Sequence, residues 1–358
     1  MAREINSVKS AKNILILYTE LAAYTVTCFE ALVSEYDVNL YVVRMPVNEV
    51  APFDFKVKDK RIFFYNVNDF NIESLTALYD QIKPVGIFCS GWIIKMYLEL
   101  CKRKHKECIT IIGFDTKWVG SFRQIAGSFY ARYAISPNFD FAFVPGNSQA
   151  IMAQKMGFNN NQIVSGFYAT NVKFFNEVFT PGTNRSKVII FAGRYAKEKG
   201  LPELCEVFME LKMSGELKDW KLWCVGRGSF KIPAHPDILD LGFKQPAELK
   251  QVMKEPGIFI LPSTYEPWGV VVHEFAAAGF PMICSDKVGA TEIFLEEGKN
   301  GFLFKGGDKS DLKDKLKKMC NLNAEKLKVM SSLSFNLSQK ITPSTWAHDF
   351  YKMIHNAS

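Results

Sequence analysis

The chain has 358 residues, 48% of them apolar, and a formal net charge of +7; that length exceeds what one hydrophobic core ordinarily covers, so two domains are expected. No stretch approaches about eighteen consecutive apolar residues, which excludes a membrane-spanning helix, and the opening MAREINSVKSAKN is charged without an apolar signal core, which predicts a cytoplasmic protein. The positive excess permits attraction to phosphates, nucleotides or an anionic membrane face and singles out none of them; no nucleic-acid partner is expected.

Strand and helix signals alternate from the start. Apolar strands are expected at 13–18, 36–43, 61–67, 85–90, 108–114 and 140–146. Helices are expected at about 22–35, 73–82, from Trp92 through Leu100, at 121–133 and at 147–156, the last closing on Gly157 as a C-cap. Continuous apolar strands alternating with helices argue for a parallel sheet covered on both faces. Residues 176–186, NEVFTPGTNRS, are polar, carry Pro181 and Gly182, and read as a linker. The pattern then restarts, with strands at 187–193, 220–226, 237–243, 257–262, 281–285 and 301–304 and helices at 200–213, 246–254 and 268–278. The tail from 309 is helical, and its last segment, about 343–355, carries Trp346, Phe350 and Ile354 on one stripe.

Eight cysteines lie scattered in apolar or helical segments without a Cys-x-x-Cys pair, as buried thiols in a reducing compartment would. The run Lys102 to Lys106 reads as a solvated helix end. In 117–133, Lys117, Arg123 and Arg132 mingle with Trp118, Phe122, Phe129, Tyr130 and Tyr133. Such a helix can lie on a lipid headgroup layer at the inner membrane face, or it can pack inward.

Two stretches carry candidate chemistry. In EPWGVVVHEFAAAG (266–279), Glu266 leaves an apolar strand at its C-terminal end and Glu274 sits on the helix that follows. Pro267 suits a first helical turn, so the amides of Trp268, Gly269 and Val270 are expected as free donors at the positive helix end, ready for an anion or a cluster of hydroxyls. In GRYAKEKG (193–200), Arg194 and Lys199 follow a strand and open a helix. An arginine fork and a mobile ammonium together suit a diphosphate. The turns VGRGSF and LGFKQPAEL each place a glycine, Gly226 and Gly242, at a strand end.

The series FAGRYAKEKG, VGRG, LGF, ILPSTYEPWGVVVHEFAAAGFPMICSD, VGATEIF, GKNGFLF and GGD spans about 120 residues. In order and spacing it resembles the donor-binding domain of a retaining glycosyltransferase of the GT-B fold, family four (glycosyltransferases group 1). The resemblance implies an α/β protein of two Rossmann-like doubly wound domains facing across a cleft. An acceptor-binding domain would occupy 1–178 and a nucleotide-sugar-binding domain 185–340, with the helix 341–358 crossing back to the first. It further implies that Arg194 and Lys199, after Gly193, hold the diphosphate and that Glu274 binds the ribose diol. Glu266, Pro267 and the amides of Trp268, Gly269 and Val270 would face the transferred sugar. Gly242, Phe243 and Lys244 would border the base, with Gly226 nearby. The family prior for the base is uridine. No Asp-x-Asp occurs, and no cofactor or metal is expected.

The N-terminal half is a weaker match with two departures. Ala22 and Ala23 stand where relatives carry a Gly-Gly loop, and Phe114-Asp115 stands where many carry a histidine. Asp115 would contact the reacting sugar or the acceptor, or else cap a turn before Thr116. Arg194, Lys199, Glu266 and Asp115 are therefore the candidate catalytic residues, and His273 is expected to be packed on its helix. The expected activity is transfer of a sugar from a nucleotide donor, a UDP-sugar, to a glycan or lipid-linked acceptor. The alternatives are a nucleotide-sugar epimerase of the same fold and a non-catalytic scaffold partner.

Overall fold

The computed structural model describes residues 11–46, 57 and 59–355. The stretch expected to lack a signal core lies outside the described residues as far as residue 10, as do the last three residues of the chain. The first sheet holds β1 (Lys12–Tyr18), β2 (Val38–Arg44), β3 (Ile62–Asn66), β4 (Gly86–Ser90), β5 (Ile109–Gly113), β6 (Phe141–Val144) and β7 (Ile163–Ser165). The second holds β8 (Val188–Ala192), β9 (Lys221–Val225), β10 (Ile238–Gly242), β11 (Ile258–Leu261), β12 (Met282–Ser285) and β13 (Gly301–Phe304).

The spatial orders are β3-β2-β1-β4-β5-β6-β7 and β10-β9-β8-β11-β12-β13, and every ladder is parallel. Each sheet thus reverses its winding beside its first strand, at β1/β4 and at β8/β11. That is where an open α/β sheet leaves a crevice beyond its strand ends.

β1 is a continuous apolar run because both its faces are covered. Ile14 and Ile16 join the cluster that contains the helices Ala23–Glu35 and Pro343–His355. Leu15 and Leu17 join the opposite cluster, against Ile72–Ile82 and Lys95–Lys104. All four side chains are fully excluded from solvent.

The C-terminal helix packs on the first sheet's side of the molecule. Trp346 Nε1 donates to the carbonyl of Phe167 at 2.8 Å. Its ring stacks on Phe350 and lies against Phe29 and Phe143. Tyr351 stacks on Tyr36 with ring centroids 4.0 Å apart.

Several elements depart from the sequence expectation: the helix expected from Trp92 begins at Lys95, and the short helices Val172–Asn176 and Thr291–Phe294 were not expected. β7, two half-buried residues and an exposed serine at a sheet edge, has no periodicity long enough to read. The helix expected from 268 begins at Val270, so Pro267 lies outside its first turn. The cause is tertiary. Residues 266–268 lie beside 288–290, with Gly289 N donating to Glu266 O at 3.2 Å and Ala290 N to Trp268 O at 2.9 Å. The chain turns into the helix only at Gly269, whose φ of 91° is left-handed.

Candidate active site

The loops leaving β8, β9, β10 and β11 enclose a cavity of about 410 Å³. Opposite it, loops leaving β1, β4 and β5 wall a second cavity of about 640 Å³. Tyr24, Asp115, Tyr168 and Arg194 line both, so they form the boundary between the two spaces.

The first cavity brings together Gly193, Arg194, Lys199, Gly226, Phe243, Lys244, Glu266, Trp268, Gly269, Val270 and Glu274, the greater part of the expected set. Close backbone packing sets their positions. Gly200 has φ 68°, and a Cβ there would stand 2.1 Å from the Pro262 carbonyl oxygen. Only glycine allows the loop after β8 to pass so close to the end of β11. That crossing carries Lys199 to Glu266, and the two side chains form an ion pair with little exposure, 13% and 11%. Ser263 Oγ stands 3.4 Å from the same Glu266 oxygen. Gly226 serves in the same way, since a Cβ there would meet the Gly193 carbonyl oxygen at 1.9 Å.

Arg194 is 61% exposed and reaches Glu198 at 3.3 Å. A pair that open contributes little stability, which leaves the guanidinium available to a ligand. Glu274 is half-buried in the cavity wall, and burial pushes its pKa up to about 7. The helix behind it, Val270–Ala277, has no side-chain cap; Val272 N donates to the Gly269 carbonyl at 3.0 Å, and Gly269, Val270 and Val271 at the positive helix end line the cavity. Arg227, not anticipated, places its guanidinium 5.2 Å from the ring centroid of Phe243; it too lines the cavity.

Two expected residues stand off. Gly242 does not line the cavity; its left-handed turn, φ 67°, directs Phe243 and Lys244 into the wall. Pro267 also lies outside the lining, because its carbonyl accepts from Gln149 Nε2 at 2.7 Å, a contact between the two lobes.

On the opposite wall, Asp115 accepts from Tyr168 Oη at 3.3 Å. Burial raises its pKa, with the Tyr168 hydrogen bond opposing the rise and the charge of Glu266 adding to it. It caps no helix. The next one is Phe122–Ala134, whose N-cap Ser121 accepts from Gln124 N. Ala22 lines the second cavity with an extended backbone, φ −117°, a conformation alanine adopts without strain. Ala23 lines neither space. Tyr24 and Tyr168 meet edge to face at 5.6 Å. One lies in YTELAAYT (18–25) and the other in FYATNVKFF (167–175), and no spacing in the sequence marks their rings as paired.

His273 is packed, as expected. Its Nδ1 accepts from Thr170 N at 3.3 Å and its Nε2 stands 2.9 Å from the Ser338 carbonyl. Burial lowers its pKa to about 4, so the ring is neutral with the proton on Nε2. Lys117 departs from the basic face proposed for 117–133. Its Nζ donates to the Lys287 carbonyl at 2.8 Å, across the cleft. No helix among the described residues is long and apolar enough to cross a membrane.

Residues 175–333 match the family model described as glycosyl transferases group 1. Sulfoquinovosyl transferase SQD2 of Arabidopsis thaliana is 31% identical over 144 residues, 38% of this chain and 27% of that protein. The matched segments span 27–44% of the length of such curated relatives. Among solved structures, sucrose-phosphate synthase of Thermosynechococcus elongatus superposes with a TM-score of 0.73 at 14% identity, covering 97% of this chain and 100% of that one. Anabaena HepE in complex with UDP superposes with a TM-score of 0.71 at 14% identity, covering 95% and 99%. Residues 175–333 therefore belong to the glycosyl transferases group 1 family, and the chain around them takes the two-sheet GT-B fold.

Proposed function

We propose that the protein transfers a sugar from a nucleoside-diphosphate donor, a UDP-sugar, to a hydroxyl acceptor with retention of anomeric configuration and without a metal. The observation that carries this is the 410 Å³ cavity in which Arg194, the Lys199–Glu266 pair, Glu274 and an uncapped helix start converge. In this reading Arg194 and Lys199 hold the diphosphate, Glu274 accepts from the ribose diol, and Phe243, Lys244 and Arg227 border the base. Glu266 and the amides of Gly269 and Val270 face the sugar. The HepE structures with UDP and with UDP-glucose support uridine as the base.

The chemistry needs no protein nucleophile. The acceptor oxygen bonds to the anomeric carbon on the face that the diphosphate leaves. The carbon–oxygen bond to the β-phosphate breaks, the electron pair departs with the nucleoside diphosphate, and the acceptor proton passes to the leaving phosphate. Negative charge grows on that phosphate as the bond breaks, so fixed cations and amides aimed at it stabilise the transition state more than the ground state. With two cations in place, the site supplies by itself the charge that a metal would bring.

The second cavity favours transfer over epimerisation, since an epimerase has no need of an acceptor space beside the donor. A thermal-shift panel of UDP, GDP, ADP and their sugars is the first test, because a ligand of the folded state raises the melting temperature by mass action. UDP ligands should give the largest shift. NMR of the product decides the stereochemistry, and an inverted linkage would remove this mechanism.

Peripheral contact with an anionic membrane is part of the same proposal. On the helix Phe122–Ala134, Phe122 is 92%, Phe129 and Tyr130 66% and Tyr133 69% exposed. Arg123 and Arg132 are exposed beside them, and residues 116–139 contain no acidic side chain. Exposed rings among cations suit a headgroup layer. The double substitution Arg123→Glu/Arg132→Glu should release the protein from phosphatidylglycerol vesicles in a sedimentation assay; unchanged binding would sink the idea.

A further inference from the structure

The second cavity has a chemistry of its own, distinct from the phosphate-ready cavity across the cleft. Its acidic groups are Glu20 and Asp115, on the loops after β1 and β5. Among the described residues its one cation, Arg194, stands at the shared boundary and is the group assigned above to the diphosphate. The rest of the wall combines hydroxyls with one broad aromatic face. Thr19 Oγ1 and Ser90 Oγ pair at 3.1 Å, and each keeps capacity for a further hydrogen bond. Tyr24 and Tyr168 add two phenols at the boundary.

Trp92 provides the aromatic face. It is half-buried, and its ring rests against Phe114 with centroids 5.2 Å apart. The turn beneath it is fixed, because Gly91 N donates to the Gly113 carbonyl at 2.7 Å and Gly91 takes φ 66°. The indole is thus held by packing and a backbone hydrogen bond between neighbouring strand ends.

We propose that this cavity binds an uncharged, hydroxyl-rich sugar ring as the acceptor, stacked on Trp92 and held through its hydroxyls by Asp115, Thr19 and Ser90, and that Glu20 and Asp115 exclude acceptors bearing phosphate or carboxylate. The inference rests on the glycosyltransferase assignment above and deepens it by naming the acceptor class. The apolar face of a pyranose suits an indole plane, and its hydroxyls donate to carboxylates and exchange hydrogen bonds with threonine and serine. An acceptor phosphate would meet two carboxylates, and Arg194, the one cation among the described residues that line the cavity, is already engaged by the donor. A site built to hydrogen-bond hydroxyls discriminates strongly against a ring that cannot satisfy it.

The test is ligand-observed saturation-transfer NMR on the full chain. The probes are the methyl and octyl glycosides of glucose, galactose, mannose and N-acetylglucosamine, set against glucose 6-phosphate and methyl glucuronide, each with and without UDP. Neutral glycosides should bind and the two anionic sugars should not. Equal binding of methyl and octyl forms points to a soluble glycan, and preference for octyl points to a glycolipid headgroup. Trp92→Ala should weaken glycoside binding by about tenfold or more, consistent with the ~1.5 kcal/mol of an aromatic contact. Trp92→Phe should keep most of the affinity, and both variants should retain the wild-type thermal shift with UDP. Glu20→Gln should bring glucose 6-phosphate into measurable binding.

Binding of either anionic sugar in preference to neutral ones overturns the proposal, as does Trp92→Ala without effect. Glycosides that bind while no nucleotide does would leave the acceptor class standing and remove the glycosyltransferase assignment. UDP that binds while no neutral glycoside does would do the reverse.

Discussion

At the scale of single residues, the Lys199–Glu266 pair is a buried ion pair awaiting a third charge. Removing one member leaves the other uncompensated, which is the costly case for such pairs. Lys199→Ala should therefore lose on the order of 3 kcal/mol in urea unfolding, and Lys199→Ala/Glu266→Gln should recover much of it. Neither variant should transfer sugar at a measurable fraction of the wild-type rate, since a fixed cation at a developing charge is worth roughly 100-fold or more. Additive losses in the double variant would show that the two side chains do not act together. Glu274 gives a pH dependence of definite sign. Its folded-state pKa of about 7 lies above the ordinary 4.5, so the folded chain holds the proton more tightly than the unfolded one. The stability it contributes is whole below about pH 4.5 and is lost as pH rises to about 7. Glu274→Gln should then stabilise the ligand-free protein near pH 8 relative to wild type, and not near pH 4. Two hydrogen bonds from a ribose diol favour the ionised carboxylate, so UDP affinity should rise with pH more steeply in wild type than in Glu274→Gln. Titration calorimetry at about pH 6 and pH 8 checks this, and parallel slopes would place the ribose elsewhere.

At the scale of elements, what the sequence could reveal depended on whether the constraint was local. Most of the parallel strands were legible because they are largely apolar runs, and β4, β6, β8, β9 and β11 run directly into glycine or proline. Arg194, Lys199, Glu266 and Glu274 were legible because their order along the chain is itself a signature. The start of the Val270–Ala277 helix was not, because the pairing of 266–268 with 288–290 decides it, and that pairing joins segments about twenty residues apart. Tyr168, Trp92 and Arg227 were missed for a related reason, since each sits in an irregular loop; Tyr24, in the first turn of the helix Ala23–Glu35, was missed because only the folded chain shows which segments meet. Gly200 joins the local signal to the tertiary fact. Its left-handed φ and the Pro262 carbonyl 2.1 Å from where a Cβ would stand leave no room for a methyl group. Gly200→Ala should destabilise the protein by about 2 kcal/mol or more, and it should weaken UDP binding as well, because Lys199 is the preceding residue. A variant as stable as wild type would mean that the loop after β8 has slack, and would weaken the case that the site is preorganised.

At the scale of the whole molecule, two sheets with separate windings are tied by a few specific contacts and one long return. Gln149 bridges the carbonyls of Asp115 and Pro267, Glu292 accepts from the amide of Asn147, and Thr170 donates to His273. These contacts set the width of the cleft that carries both cavities. The helix Pro343–His355 follows the second sheet in sequence yet packs on Ala23–Glu35 beside the first. We propose the division into 1–178 and 185–340 on this pattern, with the last helix as a brace belonging structurally to the first lobe. The division predicts where damage would travel. Trp346 is 3% exposed and fills the space between Phe29, Phe143 and Phe350, so Trp346→Ala should cost about 3–5 kcal/mol by leaving a cavity. If the helix braces the first lobe alone, amide hydrogen exchange should quicken in Ala23–Glu35 and β6 while β8, β9 and β11 keep their protection, because each lobe opens as its own cooperative unit. Acceptor binding would then weaken while the UDP thermal shift persists. Equal acceleration in both sheets would mean that the cleft contacts fuse the lobes into one unit, in which case opening and closing of the cleft could not serve as a step in turnover.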